Sequence, residues 1–310
     1  MNGRTGGRDD GRDRCAFTLV ELVTVVVVSL LMMGLLLAAY STTWRRGCYR
    51  STTLRNATQI RSIVQAMQVW AQANRDEFPL PSALDASDAT VSAGGDPDSK
   101  NTTASIASIL IWNGLICPES LVAARELHPN ITIDDDYQTQ RPARAVDPAA
   151  ALWDPAFNDD FTSPIGAVGR ASPPGNLSFA FMPPAGARRG KWKSTFEPLL
   201  ALVGERGPDL MQTGVDAAGN AQYSPVKTSH PTLAPMKNGA WIGDVGYADG
   251  HVNFETSHSP RELEYKTSRG TIRPDCLFID EPGDPTGVNQ FLGIFPKAGR
   301  RTSDCRFIWD

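Results

Sequence analysis

The segment from Ala16 to Tyr40 is long enough and apolar enough to cross a lipid bilayer. Its last nineteen residues, from Leu22 to Tyr40, carry no charge. An α-helix rises about 1.5 Å per residue, so these residues would traverse nearly the whole hydrocarbon layer of about 30 Å. The sequence therefore predicts one membrane-spanning helix near the start of the chain.

A single carboxylate, Glu21, lies near the start of this apolar segment. An ionised glutamate within hydrocarbon costs at least a few kcal/mol unless another group neutralises it, so its presence indicates a functional role. Alternatively, the side chain reaches the lipid headgroups, because position 21 lies near one end of the segment. Both interpretations remain open at this point.

Residues 1–16 are polar and rich in glycine, with four arginines and three aspartates. This composition cannot build a hydrophobic core, and it is typical of a leader. A secretory signal peptide has an apolar region of only about 7–15 residues before its cleavage site, which is shorter than the segment here. A simple signal anchor is an alternative, although it gives Glu21 no role. The arginines on the two sides of the segment are balanced and do not fix its orientation.

The hexapeptide AFTLVE at positions 16–21 resembles the prepilin cleavage and methylation signal of type IV pilins and type II secretion pseudopilins. The resemblance implies that prepilin peptidase cuts between Ala16 and Phe17 and methylates the new amino terminus. Ala16 stands where the family usually has glycine. Glu21 would become the fifth residue of the mature chain and pair, within a filament, with the amino terminus of a neighbouring subunit.

A helical pattern continues after the apolar segment. Apolar residues recur at i, i+3, i+4 and i+7, which predicts an amphipathic helix with one buried face, and Pro79 and Pro81 predict its end. The whole helix would have roughly fifty-five residues, half in the membrane and half packed on a globular body. The residues of the buried face are Ile60, Ile63, Val64, Met67, Trp70 and Ala71.

Short strand-like runs separated by turn signals fill the C-terminal half, and they predict an antiparallel sheet. The predicted fold class is α+β and pilin-like: a long N-terminal helix, its first half transmembrane, packed on an antiparallel β-sheet. The candidate strands are 177–182, 199–203, 240–248, 251–255, 276–279 and 291–295.

A length of 310 residues, a hydrophobic content of 41% and a net charge of −4 suit one sizeable extracytoplasmic domain after the helix. The predicted segments are a leader at 1–16, a transmembrane and polymerisation helix at 17–41, its amphipathic continuation at 42–78, a globular α+β domain at 79–275 and a C-terminal loop at 276–310.

The dipeptide Asp249-Gly250 lies between two strand-like runs and predicts a tight hairpin turn. The surrounding segment also resembles the C-terminal Asp-Gly-His-Val motif of a bacterial subgroup of prepilin-like proteins. In that subgroup nine residues lie between a histidine and the motif, but Gly239 occupies the position of that histidine here. Asp249, Gly250 and His251 are therefore interpreted mainly as turn residues.

Cysteines outside the leader would face an oxidising compartment under the same resemblance. Cys276 and Cys305 bracket the last segment, and the resemblance implies that they form the disulfide that closes the C-terminal loop of many pilins. Such a bond would stabilise the fold by about 3–4 kcal/mol. Two free thiols are the alternative, because connectivity cannot be deduced from sequence. Cys48 and Cys117 have no assigned partner.

Metal and catalytic signatures are weak. The acidic clusters at 134–136, 158–160 and 280–284 supply oxygen ligands, and pseudopilins of the resembling family often bind calcium in a C-terminal loop. None of these clusters has a diagnostic spacing, so the prediction is no cofactor, with calcium as the alternative. No zinc-protease, nucleophile-elbow, phosphate-loop or redox-cysteine pattern occurs, which argues against an enzyme. The pI of about 5.6 gives no global basic field for nucleic acid.

The resemblance implies a structural subunit of a type IV pilus-like or type II secretion pseudopilus filament. It would be processed before Phe17 and would assemble through its apolar helix with other pilin or pseudopilin subunits. The expected location is the inner membrane, in contact with its lipid, with a single pass, a cytoplasmic leader and a periplasmic or extracellular bulk. Two alternatives remain: a membrane-anchored cell-envelope protein whose exported domain binds a ligand or partner without polymerising, and a signal-anchored enzyme.

Overall fold

The chain divides into two compact units, Met1–Ser51 and Thr52–Asp310. The structure is a computed structural model. At residues 36–51, 236–237 and 240 it describes the backbone only. The residues it describes are 19–162, 173–195, 197–226, 236–237, 240–267, 269–281 and 289–309.

The helices and strands are short apart from the first helix, α1, which runs from Leu19 to Ala73. Two further α-helices are α2 (Pro81–Leu84) and α3 (Thr103–Trp112). The strands are β1 (Phe179–Phe181), β2 (Ala201–Glu205), β3 (Leu210–Val215), β4 (Ala221–Pro225), β5 (Met236–Lys237), β6 (Ala240–Trp241), β7 (Gly243–Tyr247), β8 (Val252–Glu255), β9 (Glu264–Lys266), β10 (Ile272–Pro274), β11 (Ile294–Lys297) and β12 (Arg306–Ile308).

No helix in the described part of the chain combines the length and the apolarity needed to span a bilayer. The described apolar run of α1 covers residues 19–35 and includes Glu21. The predicted transmembrane first half of the helix is therefore wrong, and so is the predicted single pass through the inner membrane.

The later part of α1 packs inside the unit Thr52–Asp310. Gly246 of β7 makes this contact close, because a Cβ atom there would lie 2.7 Å from Cγ2 of Ile60 and 2.9 Å from Cγ2 of Val64. Arg75 and Asp76 have left-handed φ angles of 57° and 62°. The helix therefore ends at Ala73, before the prolines that predicted its end. The buried residues of this part are Ile60, Ile63, Val64, Ala66, Met67 and Ala71.

The β structure is divided among several sheets. One four-stranded antiparallel sheet has the order β1-β2-β7-β8, and four two-stranded sheets pair β3 with β4, β5 with β6, β9 with β10 and β11 with β12. The prediction of one antiparallel sheet packed on the helix is therefore wrong. Residues 276–279 form a buried turn rather than a strand, because the Asp275 carboxylate accepts hydrogen bonds from the backbone N–H groups of Cys276 and Gln290.

A hydrophobic core joins α1, α3 and the sheets. α3 is buried on nearly all faces from Thr103 to Ile111, and the Thr102 side chain caps its start by accepting a hydrogen bond from the Ser105 N–H. A helix that is apolar all round belongs in the interior of a domain. The largest fully buried apolar side chains of the core are Trp153, Trp241, Phe78, Phe179, Phe181, Phe278 and Phe295.

Candidate functional site

Residues 19–35 of α1, named here the apolar arm, carry a large exposed apolar surface. Their large apolar side chains are 49–79% exposed. Folded monomers rarely expose contiguous apolar patches of more than a few hundred Å², and larger patches mark interaction sites. The exposed side chains are Leu19, Val20, Leu22, Val23, Val25, Val26, Val27, Val28, Leu30, Leu31, Met32, Met33 and Leu35.

Polar groups of the apolar arm are few. The Thr24 hydroxyl donates a hydrogen bond to the Val20 carbonyl at 2.8 Å, so the helix itself satisfies that group. Glu21 is exposed in the first turn of α1, where a carboxylate interacts favourably with the helix dipole. The arm thus presents an apolar surface whose one carboxylate lies near its start.

The processing residues named from the sequence, Ala16 and Phe17, lie outside the described residues. Glu21 belongs to α1, two residues after its first residue. Cleavage before Phe17 and pairing of Glu21 with a freed amino group therefore stay predictions.

Asp249 and Gly250 lie between the paired strands β7 and β8. The Gly250 N–H donates to the Tyr247 carbonyl at 2.9 Å, and the Tyr247 N–H donates to the His251 carbonyl at 3.0 Å. Gly250 has a φ of 93°, whereas Asp249 is not left-handed. This is a turn with a glycine bulge rather than a two-residue loop with two positive φ angles. The His251 ring stacks on Tyr247, with centroids 4.5 Å apart.

Cys276 and Cys305 are free thiols, so the predicted disulfide is wrong. Cys276 is buried in the turn at 276–279, while the Cys305 thiol lies 3.5 Å from the Arg301 carbonyl, to which it donates. Burial raises the pKa of both thiols, which keeps them protonated and poorly reactive. Cys117 is also a free thiol and is exposed. The Cys48 side chain is outside the described part of the chain.

The acidic clusters do not form a cation site among the described residues, where no group of three or more His, Cys, Asp or Glu side chains could hold a metal ion. Asp159 accepts a hydrogen bond from the Ala104 N–H at 2.8 Å, and burial raises its pKa to about 6. Asp160 pairs with Arg306. Burial, together with Asp136, raises the pKa of Asp134 to about 6.

A set of buried charges, named here the buried charge cluster, was not predicted from the sequence. Its members are Arg125, Glu126, Glu205, Arg206 and Asp244. Two guanidinium nitrogens of Arg206 lie 2.6 and 2.9 Å from the two oxygens of Glu126. A nitrogen of Arg125 lies 2.6 Å from an oxygen of Glu205. Excellent geometry of this kind is required to offset the desolvation of buried charges.

The buried charge cluster also holds α1. The Asn56 side-chain amide donates to Glu205 at 2.7 Å, and its oxygen accepts the Ala124 N–H at 3.0 Å. Asp244 is 2% exposed, and burial followed by the charge of Glu205 raises its pKa to about 7. The only signal in the sequence is two adjacent pairs of opposite charge, Arg125-Glu126 and Glu205-Arg206, that follow apolar residues.

No family model, curated protein or solved structure matches this chain.

Proposed function

We propose that this chain is a structural subunit of a pilin-like filament. In such a filament the apolar arm of each subunit packs against the arms of neighbouring subunits. The observation that carries the proposal is the exposure of thirteen large apolar side chains in only seventeen residues of helix. Burying apolar surface contributes about 25 cal/mol per Å², so association of these arms is strongly favourable.

The distribution of the exposed side chains favours assembly of several copies. Leu19, Leu22, Val26, Leu30 and Met33 follow a helical spacing on one face, but the residues between them are also apolar and exposed. An arm with one apolar stripe would be covered by a single partner helix, as in a two-stranded coiled coil. A helix that is apolar all round needs neighbours on every side. The core of a filament supplies them.

Glu21 would set the register of this assembly. Cleavage before Phe17 would create an amino terminus four residues from Glu21, and the carboxylate of one subunit would pair with the amino group of the next. Inside a bundle of apolar helices the effective dielectric constant is low, so the attraction between these charges is strong. A buried charge left without its partner is strongly destabilising, which penalises other registers.

Co-expression with a prepilin peptidase tests the proposal. Intact mass should show a chain that starts at Phe17 for the wild type and for Glu21→Ala. Glu21→Ala should reduce recovery in sedimented filaments by at least about tenfold, since the loss of one buried charge partner costs several kcal/mol. Glu262→Ala removes an exposed carboxylate elsewhere and should assemble like the wild type.

Two results would contradict the proposal. A native chain that keeps its first sixteen residues would have no free amino group at Phe17 to pair with Glu21. Normal filament recovery for Glu21→Ala, with correct cleavage, would remove the assigned role of this carboxylate.

A further inference from the structure

Two basic segments that are far apart in the sequence meet in the fold. Residues 186–193 read GARRGKWK, and residues 297–301 read KAGRR. They carry seven lysines and arginines in a chain whose net charge is −4. The Gly186 N–H donates a hydrogen bond to the Arg300 carbonyl at 2.9 Å and so joins the two segments.

A cleft of about 550 Å³ opens where these segments meet. It is named here the arginine cleft, and its lining residues are Arg189, Arg300, Arg301, Asp98 and Gly186. The volume lies within the range of small-molecule sites, about 300–1,000 Å³. Three guanidinium groups and one carboxylate leave the lining with a net charge of +2.

We propose that the arginine cleft binds a phosphate group. A phosphomonoester carries a charge of about −1.5 to −2 at pH 7, which matches the charge of the lining. Guanidinium groups bind phosphate oxygens through pairs of parallel hydrogen bonds, and this geometry distinguishes arginine from lysine. The three arginines therefore provide both the charge and the shape that a phosphate group requires.

The single carboxylate of Asp98 cannot neutralise all three arginines of the cleft. It forms an ion pair with Arg189, and the Asn101 side-chain amide donates to the same carboxylate at 3.1 Å. Arg300 and Arg301 are exposed at the cleft. These two guanidinium groups are therefore available to a ligand.

Hydrogen bonds hold the backbone on both sides of the arginine cleft. Arg188, the chain neighbour of Arg189, is 1% exposed and donates to the Asn289 carbonyl at 2.9 Å, to Asp280 at 2.6 Å and to the Thr302 hydroxyl at 3.1 Å. The Arg301 N–H donates to the Asp304 carboxylate at 3.0 Å, which holds the second wall. Because the backbone is held, binding of a ligand needs to order only the arginine side chains.

Calorimetric titration of the full-length chain with inorganic phosphate at an ionic strength of about 0.15 M, where charges more than about 8 Å apart are largely screened, tests this site. The wild type should bind one phosphate. Arg300→Ala/Arg301→Ala should weaken binding by at least about tenfold, because the variant loses the hydrogen bonds that the two charged guanidinium groups donate to the phosphate. The control Arg261→Ala/Arg269→Ala removes two exposed arginines elsewhere and should change affinity less than about twofold.

The control double variant separates a site from a general effect of net charge, since both variants lose two positive charges. Thermal unfolding of all three proteins should give the same midpoint because the four arginines are exposed. No phosphate binding by the wild type, or equal weakening in both variants, would overturn the proposal. In a second titration, tighter binding of glycerol 3-phosphate would identify a phosphomonoester, whereas equal binding would identify phosphate alone as the recognised group.

Discussion

Two parts of α1 have similar apolar side chains but opposite exposure. In the apolar arm, Val27 is 49% exposed and Leu30 is 63% exposed, whereas Ile63 and Val64 in the later part of the helix are 0% exposed. The later part lies against β7 and the rest of the core, while the described residues leave the arm uncovered. The difference teaches that an apolar helix becomes core only where another element covers it. A large exposed apolar surface of this kind marks an interaction site.

The apolar arm exposes apolar side chains, whereas the other unit buries charged ones. In the unit Thr52–Asp310 the side chains of Arg206 and Glu126 are 1% and 6% exposed. Charges of this kind persist in a domain interior only when paired, because desolvation costs several kcal/mol per ion. The interior of this unit thus contains paired charges, whereas assembly of the arm would depend on apolar contact.

Loss of a buried ion pair should have the largest effect. Glu126→Ala removes the two-point partner of Arg206, and we expect the free energy of unfolding to fall by about 3–5 kcal/mol in urea titrations. Glu197→Ala is the control, because its pair with Lys191 is partly exposed and should be worth less than about 1 kcal/mol. Equal losses for the two variants would show that burial of the cluster has no energetic consequence.

Truncation of one apolar side chain in each part of α1 tests the comparison directly. Ile63→Ala leaves a cavity in the core and should cost about 2–5 kcal/mol of stability in chemical denaturation. Leu30→Ala in the apolar arm removes a similar side chain that is exposed, so it should change the stability of the unassembled subunit by less than about 0.5 kcal/mol. A similar loss for Leu30→Ala would mean that the subunit already buries the arm.

The pH dependence should report the buried charge cluster. The native state holds the proton of Asp244 up to about pH 7, while an unfolded aspartate loses its proton near pH 4. Between these values the native state binds more protons than the unfolded chain, so stability falls as the pH rises. Asp275, whose pKa burial also raises to about 7, acts in the same direction.

Asp244→Asn should flatten this slope. We expect the free energy of unfolding to fall between pH 5 and pH 8, as measured by urea titrations. The fall should be about 2 kcal/mol larger for the wild type than for the variant. The remaining slope belongs to Asp275 and the other buried acids. Identical slopes for the two proteins would show that Asp244 ionises normally in the folded state.

A smaller effect is expected at the turn between β7 and β8. Gly250→Ala places a Cβ on a residue with a φ of 93°. The free energy of unfolding should fall by about 1–2 kcal/mol, which lowers the midpoint of urea unfolding. Gly214→Ala is the control, because an added Cβ there meets no atom within 4 Å and its φ is not left-handed. An unchanged midpoint for Gly250→Ala would mean that the turn adapts to a side chain without strain.

Sequence patterns were informative for structural features that depend on residues close together in the chain. The periodicity of residues 60–71 marks the side chains that are buried, although Trp70 remains partly exposed. Asp249-Gly250 lies at the turn of a hairpin. Residues 276–278 are apolar and buried, but the backbone forms a turn. Apolar composition alone does not distinguish a strand from a buried turn.

Long-range features could not be predicted. Asn56 and Glu205 are 149 residues apart in the chain, and no spacing rule connects them. The division of the strands into one four-stranded and four two-stranded sheets depends on such distant pairings. The disulfide between Cys276 and Cys305, which the resemblance to pilins implied, is wrong, because connectivity cannot be deduced from sequence and Cys276 is buried as a free thiol. Cleavage before Phe17 and the role of Glu21 stay predictions.

Sedimentation velocity of the processed chain that starts at Phe17 tests the central claim most directly. Val23→Gln/Val27→Gln/Leu30→Gln places three polar groups on one face of the apolar arm, while Val146→Gln/Met211→Gln/Val215→Gln changes three exposed apolar residues of the body. The account predicts large, concentration-dependent assemblies for the wild type and the body variant, and monomers for the arm variant. A monomeric wild type, or an arm variant that assembles like the wild type, would contradict it.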